Sequence, residues 1–94
     1  MESIYIGKKD LSRYISACFV GLSKSDDIAI IARGNNVKKA IDVLAILIRE
    51  HIQTPKYNIV VDSEEYTDKE TNTTRNVSTI EIALSGVIKV KKDK

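Results

Sequence analysis

The sequence has little of what several classes of protein require. It contains one cysteine, Cys18, so no disulfide can form within the chain. Its one histidine, His51, has no cysteine near it, which argues against a zinc site. No apolar run approaches the roughly 20 residues of a membrane-spanning helix. Residues 1–6 show no positive region followed by an apolar stretch. We therefore expect a cytosolic protein with neither a secretory signal nor a membrane partner.

The patterns that accompany catalysis are also missing. Gly34 stands alone, and no Gly-x-x-x-x-Gly-Lys-Ser/Thr loop is present. The short polar side chains form no recognisable catalytic arrangement: Ser12, Ser16, Asp26 and Asp27. Glu64 and Glu65 are neighbours in a predicted strand, so they point to opposite faces and cannot act on one substrate. We predict no enzymatic activity, cofactor, metal site or small-molecule substrate.

The length of 94 residues fits a single domain, which we place at 1–94 with a hairpin arm at 67–76 and a basic tail at 86–94. A chain of this size buries only about 60–65% of its surface, so association with a second chain would help its core. The chain carries 15 lysines and arginines against 13 acidic residues, a net charge of +2. That total says little about partners, and the positions of the charges matter more.

The apolar pattern predicts six elements in the order β-α-β-α-β-β. Strands are expected at residues 3–6, 28–32, 57–66 and 77–84, with helices from Leu11 to about residue 24 and from about residue 37 to before Pro55. A right-handed crossover makes the first two strands parallel. The predicted fold is a two-layer α/β sandwich with a mixed four-stranded sheet. Residues 86–94 could extend the last strand or fray.

The second helix has a wider apolar surface than one stripe. Its predicted core face comprises Val37, Ala40, Ile41, Leu44, Ile48 and Ile52. Val43 and Leu47 are set off to one side of that face at about 100° per residue. Since a two-layer monomer needs one apolar stripe, we predict a dimer interface at Val43 and Leu47. The alternative is that the hairpin covers this flank.

Basic residues lie at both junctions between a strand and the following helix. Lys8 and Lys9 precede the first helix, and Lys38 and Lys39 lie in the first turn of the second. Cations at a helix N-terminus destabilise folding by roughly 0.3–1 kcal/mol each, while the free N–H groups there attract anions. Because the two strands are parallel, these lysines, Arg33 and Arg13 can converge on one edge of the sheet. The set predicts phosphate binding, against the alternative of an ordinary solvated charged surface.

Three segments resemble the Alba family of archaeal chromatin proteins. They are Ile4-Tyr5-Ile6-Gly7-Lys8-Lys9, then Ala32-Arg33-Gly34 with Ala40-Ile41-Asp42, and Asn76-Val77-Ser78-Thr79-Ile80-Glu81-Ile82. The match runs in order over residues 3–84. It implies the same β-α-β-α-β-β fold, a homodimer, and binding of double-stranded DNA and RNA with little sequence preference. In this family a central basic surface lies over the duplex and two hairpin arms reach along it.

The resemblance also implies individual roles and shows departures. Lys8 and Lys9 occupy the family's paired lysines, of which the first is the one described as acetylated, and Arg33 occupies its first loop arginine. The departures are Asp10 for a usual proline, Arg13 for a common asparagine, Asn35 for a common arginine, and His51 for an aromatic linked to dimer–dimer contacts along DNA. The arm has Lys69 and Arg75 as its cations.

The interpretation is a non-enzymatic homodimer associated with the chromosome. The residues expected to contact nucleic acid are Lys8, Lys9, Arg13, Arg33, Asn35, Lys38, Lys39, Lys69 and Arg75. Tyr14 either packs in the core or meets a sugar. One rival function is a structured-RNA-binding subunit of an RNA-processing complex. The other is a protein-interaction module with no nucleic-acid role, suggested by the low net charge and the wide apolar face of the second helix.

Overall fold

The structure, a computed structural model, describes residues 2–88. Its elements are β1 (Glu2–Tyr5), α1 (Leu11–Lys24), β2 (Asp27–Arg33), a 3₁₀ turn (Gly34–Asn36), α2 (Val37–Ile46), a π-helical turn (Leu47–His51), β3 (Ile52–Asp68) and β4 (Thr73–Ile88). The sheet order is β1-β2-β4-β3, with β1 parallel to β2 and the other pairs antiparallel. The predicted mixed four-stranded α/β fold is therefore confirmed.

The core lies between the two helices and one face of the sheet. Alternate residues of the inner strands point into it, and they are fully or almost fully buried: Ile28, Ile30, Ala32, Ile80, Ile82 and Leu84. From α1 the buried residues are Tyr14, Cys18 and Gly21, while Leu11, Ile15 and Leu22 are only partly buried. A methyl group at Gly21 would lie 2.8 Å from the Cγ2 of Ile28. This glycine therefore sets how closely α1 approaches the sheet.

The second helix turns to the core a face that overlaps the predicted one, with Ala40 and Leu44 buried, but is rotated from it. Val43 and Leu47 are 0% exposed within the single chain, whereas Ile41 is 48% exposed. The assignment of Val43 and Leu47 to a dimer interface is therefore wrong, because neither has surface left for a partner. The helix is also shorter than expected. It passes into the π-helical turn after Ile46, and Ile52 is the first residue of β3.

The last two strands are longer than predicted and form a continuous ribbon. Their pairing runs from Ile52↔Ile88 to Asp68↔Thr73, with an irregularity between Gln53 and Lys56. Pro55 fits this irregularity because β3 is an edge strand, where a missing N–H costs no ladder bond. The arm predicted at 67–76 is the outer part of this ribbon, closed by a turn at 69–72.

The ribbon makes the molecule elongated. The structure measures 61 × 23 × 21 Å, with a radius of gyration of 15.4 Å. A compact domain of this length would have a radius of gyration of about 12 Å. Of the predicted basic tail, residues 86–88 end β4, and residues 89–94 lie outside the described residues. No helix between residues 2 and 88 is long and apolar enough to cross a membrane.

Candidate nucleic-acid interface

The two β-to-α junctions meet at one edge of the sheet, as the parallel pairing of β1 and β2 requires. A direct contact joins them. The Nζ of Lys39 on α2 donates hydrogen bonds to the carbonyl oxygens of Gly7 at 3.0 Å and Lys9 at 2.9 Å, both in the loop before α1. We call this edge the junction surface, and its predicted contact residues are Lys8, Lys9, Arg13, Arg33, Asn35, Lys38 and Lys39.

The cations of the junction surface differ in what they already contact. Lys8, Lys9 and Arg13 are exposed, and within residues 2–88 they make no ion pair. Lys38 pairs with Asp42 at 2.9 Å, and Arg33 lies 3.5 Å from Glu64. Exposed pairs of this kind contribute only about 0–1 kcal/mol. They can therefore be exchanged for a phosphate at little cost.

Two backbone donors of the first junction, those of Gly7 and Lys9, are already used within the chain. The Oη of Tyr14 accepts hydrogen bonds from the N–H groups of Gly7 at 2.8 Å and Lys9 at 3.0 Å. Tyr14 is 7% exposed, so its ring belongs to the core and does not meet a sugar. Asp10 is the N-cap residue of α1, but its side chain makes no capping hydrogen bond. Any anion at this junction would rely on the lysine side chains rather than on these amides.

The arm contributes one cation near the junction surface and one far from it. Arg75 lines a shallow depression together with Gly34, Asn35 and residues 76–78. Lys69 lies in the turn at the far end of the ribbon. Residues 62–75 carry five carboxylates against these two cations. This stretch of the ribbon is therefore acidic overall, unlike the junction surface.

Other groups that could carry chemistry are not arranged for it. Cys18 is 0% exposed, and burial raises the pKa of its thiol to about 12, so it is a protonated core residue at neutral pH. His51 packs its ring edge-on against Phe19, with centroids 5.0 Å apart. Across residues 2–88 no group of three or more His, Cys, Asp or Glu side chains could hold a metal ion.

The comparisons with known proteins agree with this architecture. The family model for Alba matches residues 2–61, which is more than half of the chain. The chain belongs to the Alba family. It is 37% identical over 87 residues to the "DNA/RNA-binding protein Alba" of Nanoarchaeum equitans, covering 89% of this chain and 97% of that protein. It is 35% identical to the protein of that name from Nitrosopumilus maritimus, covering 88% of each.

Solved Alba structures share the fold. Alba from Thermoplasma volcanium superposes with a TM-score of 0.74 at 34% identity, covering 89% of this chain and 99% of that one. The Alba family model stops at residue 61, whereas the relatives' alignments extend over most of β4 as well. The resemblance seen in the segment 76–82 therefore lies within the shared part of the chain.

Two contacts at this interface were not predicted from the sequence. The hydroxyl of Tyr14 reaches back to the loop before its own helix, and Glu64 reaches Arg33 from a strand that follows it by 31 positions. No local spacing signals either contact. Both depend on how the helix and the ribbon pack against β1 and β2.

Proposed function

We propose that this chain is a non-enzymatic homodimer that binds double-stranded DNA and RNA through the junction surface, with little preference for sequence. The observation that carries the proposal is the convergence of two cation-bearing junctions at one edge, joined by the hydrogen bonds of Lys39. Relatives that align over nearly their whole length are named DNA/RNA-binding proteins. Phosphates match this cationic edge, and contacts to phosphate carry no sequence information.

Binding of this kind is driven by release of counterions and is therefore sensitive to salt. Lys8 and Lys9 make no ion pair with any residue between 2 and 88. They are the foremost phosphate contacts, with Arg13, Arg33, Asn35 and Lys38 around them. Lys69 and Arg75 would act from the arm. Acetylation of Lys8 would remove one cation from the surface and weaken binding. Dimers arranged along DNA would package the chromosome in the cytoplasm.

The homodimer is supported by an apolar strip that a single chain leaves uncovered. On the helix side of the edge strand β3, Tyr57, Ile59 and Val61 are 49%, 43% and 69% exposed. Ile41 follows Lys39 by two residues, about 200° around α2, so it points away from the loop before α1 and toward the β3 side. A second copy of the chain would bury this strip against its own, since a two-fold interface pairs the same patch on both subunits.

The proposed dimer is tested by comparing the same substitution at two neighbouring residues of β3. Ile59→Lys should shift the protein to monomer, because an interface does not hold an unpaired charge. Val60→Lys is the control, since Val60 is 55% exposed on the opposite face of β3 and should leave the dimer intact. Light scattering of the three proteins measures the mass. A wild type that is already monomeric would exclude the homodimer.

The binding surface is tested by removing two lysines from the junction surface in one variant and two lysines from the opposite end of the sheet in a control variant. Lys8→Ala with Lys9→Ala removes four charges from a dimer. If each meets one phosphate, the slope of log K against log salt should fall in magnitude by about 3–4 units. Lys24→Ala with Lys56→Ala is the control. It removes the same charge at the other end of the sheet, where Lys56 pairs with Ser85 and Ser85 with Asp27. An equal change in both variants would place the duplex elsewhere.

The same titration separates DNA from RNA function. Duplex DNA and a structured RNA of matched length should bind within about tenfold of each other if phosphates dominate. Strong preference for the RNA would favour the subunit of an RNA-processing complex. Binding to neither polyanion at low salt would favour a protein-interaction module.

A further inference from the structure

The loop that carries Lys8 and Lys9 is held by two side chains from outside it. This loop, residues 6–10, is neither helix nor strand. Tyr14 accepts the N–H groups of Gly7 and Lys9, and Lys39 donates to the carbonyl oxygens of the same two residues. The two residues that flank Lys8 are thus each held twice, by an acceptor at the N–H group and by a donor at the carbonyl oxygen.

Both partners are themselves well placed to act as fixed points. Tyr14 is 7% exposed within the core, so its hydroxyl is positioned by the packing of α1 against the sheet. The Nζ of Lys39 lies 5.8 Å from the centroid of the Tyr14 ring, so the two side chains contact each other as well as the loop. An ammonium group has three donors, and the two carbonyl oxygens use two of those of Lys39.

We propose that Tyr14 and Lys39 are positioning residues, a clamp that holds residues 7–9 in the conformation that presents Lys8 and Lys9 to phosphate. This inference rests on the proposed function of the junction surface. It changes the role of Lys39, which the sequence pattern had placed among the phosphate contacts. The clamp removes the need to order the loop on binding, and preorganisation of this kind raises affinity without adding a contact to the ligand.

The clamp is tested first in the free protein. Tyr14→Phe keeps the core ring and removes only the hydroxyl. In hydrogen exchange followed by NMR, the amides of Gly7 and Lys9 should exchange about tenfold faster or more, because each loses its acceptor. Tyr66→Phe, at a 52% exposed tyrosine on β3, is the control and should leave these amides unchanged. Unchanged exchange in Tyr14→Phe would overturn the clamp whatever the protein binds.

The second test is a double-mutant cycle on a duplex. Lys39→Met and Tyr14→Phe should each weaken binding, by about 3- to 10-fold, in the wild-type background. In a background with Lys8→Ala and Lys9→Ala, both effects should disappear, because the clamp acts only through those two lysines. If Lys39→Met keeps its full effect there, Lys39 contacts phosphate directly and the proposal is wrong.

The outcomes separate this inference from the proposed function. If Lys8→Ala with Lys9→Ala leaves duplex binding unchanged, the junction surface is the wrong site, yet the exchange rates of Gly7 and Lys9 still report on the clamp. If that double variant weakens binding but the cycle shows additive effects, the surface is right and the positioning role of Tyr14 and Lys39 is excluded.

Discussion

At the scale of single residues, tertiary contacts decide which charges of this chain are available. Arg33 is an exposed guanidinium at the end of β2, but Glu64 on the ribbon lies 3.5 Å from it. A phosphate must displace this carboxylate to reach Arg33. Lys8 has no such competitor within the described residues, although the two cations look equivalent in the sequence.

Glu64→Gln should therefore raise affinity for duplex DNA. Arg33 would be free, and a carboxylate near the phosphates would be gone. Exposed pairs contribute up to about 1 kcal/mol, so a dimer should gain about 3- to 10-fold in binding. Glu65→Gln is the control, because it removes the same charge from the opposite face of β3. An equal gain in both variants would mean that net charge, not the pairing with Arg33, sets the effect.

Cys18 gives a prediction on stability against pH. Burial raises the pKa of this thiol from 9.0 to about 12, so the folded protein keeps its proton in alkali while the unfolded chain loses it. Stability should consequently fall as pH rises above 9, by about 2–3 kcal/mol at pH 11 from this group. Urea unfolding of wild type and Cys18→Ala from pH 8 to 11 measures it, and Cys18→Ala should show the shallower decline. Parallel declines would contradict a buried thiol.

At the scale of elements, the apolar pattern of α2 identified the apolar residues of the helix but not which of them face the core. Its apolar surface is wide, as expected, but the flank with Val43 and Leu47 is buried within the chain and Ile41 is left half exposed. Only about 100° separates neighbouring residues around the helix. A modest rotation of the helix therefore decides which flank is core and which is free for a partner.

Leu47→Ala should for this reason destabilise the single chain. Removing a fully buried leucine side chain costs about 2–5 kcal/mol through lost burial and the cavity that remains. Ile41→Ala is the control, since that side chain is 48% exposed and the folded monomer should lose little. Denaturant unfolding, combined with the oligomeric state at each concentration, separates the two. A Leu47→Ala protein that is monomeric but as stable as wild type would instead support the predicted dimer interface at Val43 and Leu47.

At the scale of the whole molecule, the ribbon sets the reach of the protein. The long dimension of 61 Å corresponds to about 18 base pairs at 3.4 Å each. The ribbon is acidic over residues 62–75, yet Arg75 lies beside the junction surface. The ribbon can therefore add contacts along a duplex through its length and Arg75, while its carboxylates repel the phosphates.

Shortening the arm tests this balance. Deleting residues 66–67 and 74–75 removes two facing pairs and keeps the alternation of both strands and the turn at 69–72. The fold should survive, since these residues are exposed. Binding to a 40-base-pair duplex should weaken by about 3- to 10-fold if Arg75 contacts phosphate, because a dimer loses two such contacts while the carboxylates of the ribbon remain. Equal affinity on the long duplex would mean that the arms do not contact it.

The sequence determined the order of the elements, the alternation of core residues in β4, and the common edge of the two junctions. These follow from local periodicity and from the handedness of the β-α-β crossover. Tertiary structure alone decided which flank of α2 is buried, that β3 begins at Ile52, that Lys39 holds the loop of Lys8, and that Glu64 opposes Arg33. The reason is physical. The contacts of Lys39 with Lys9 and of Glu64 with Arg33 join residues about 30 positions apart, and only packing brings those side chains within hydrogen-bonding or ion-pairing distance.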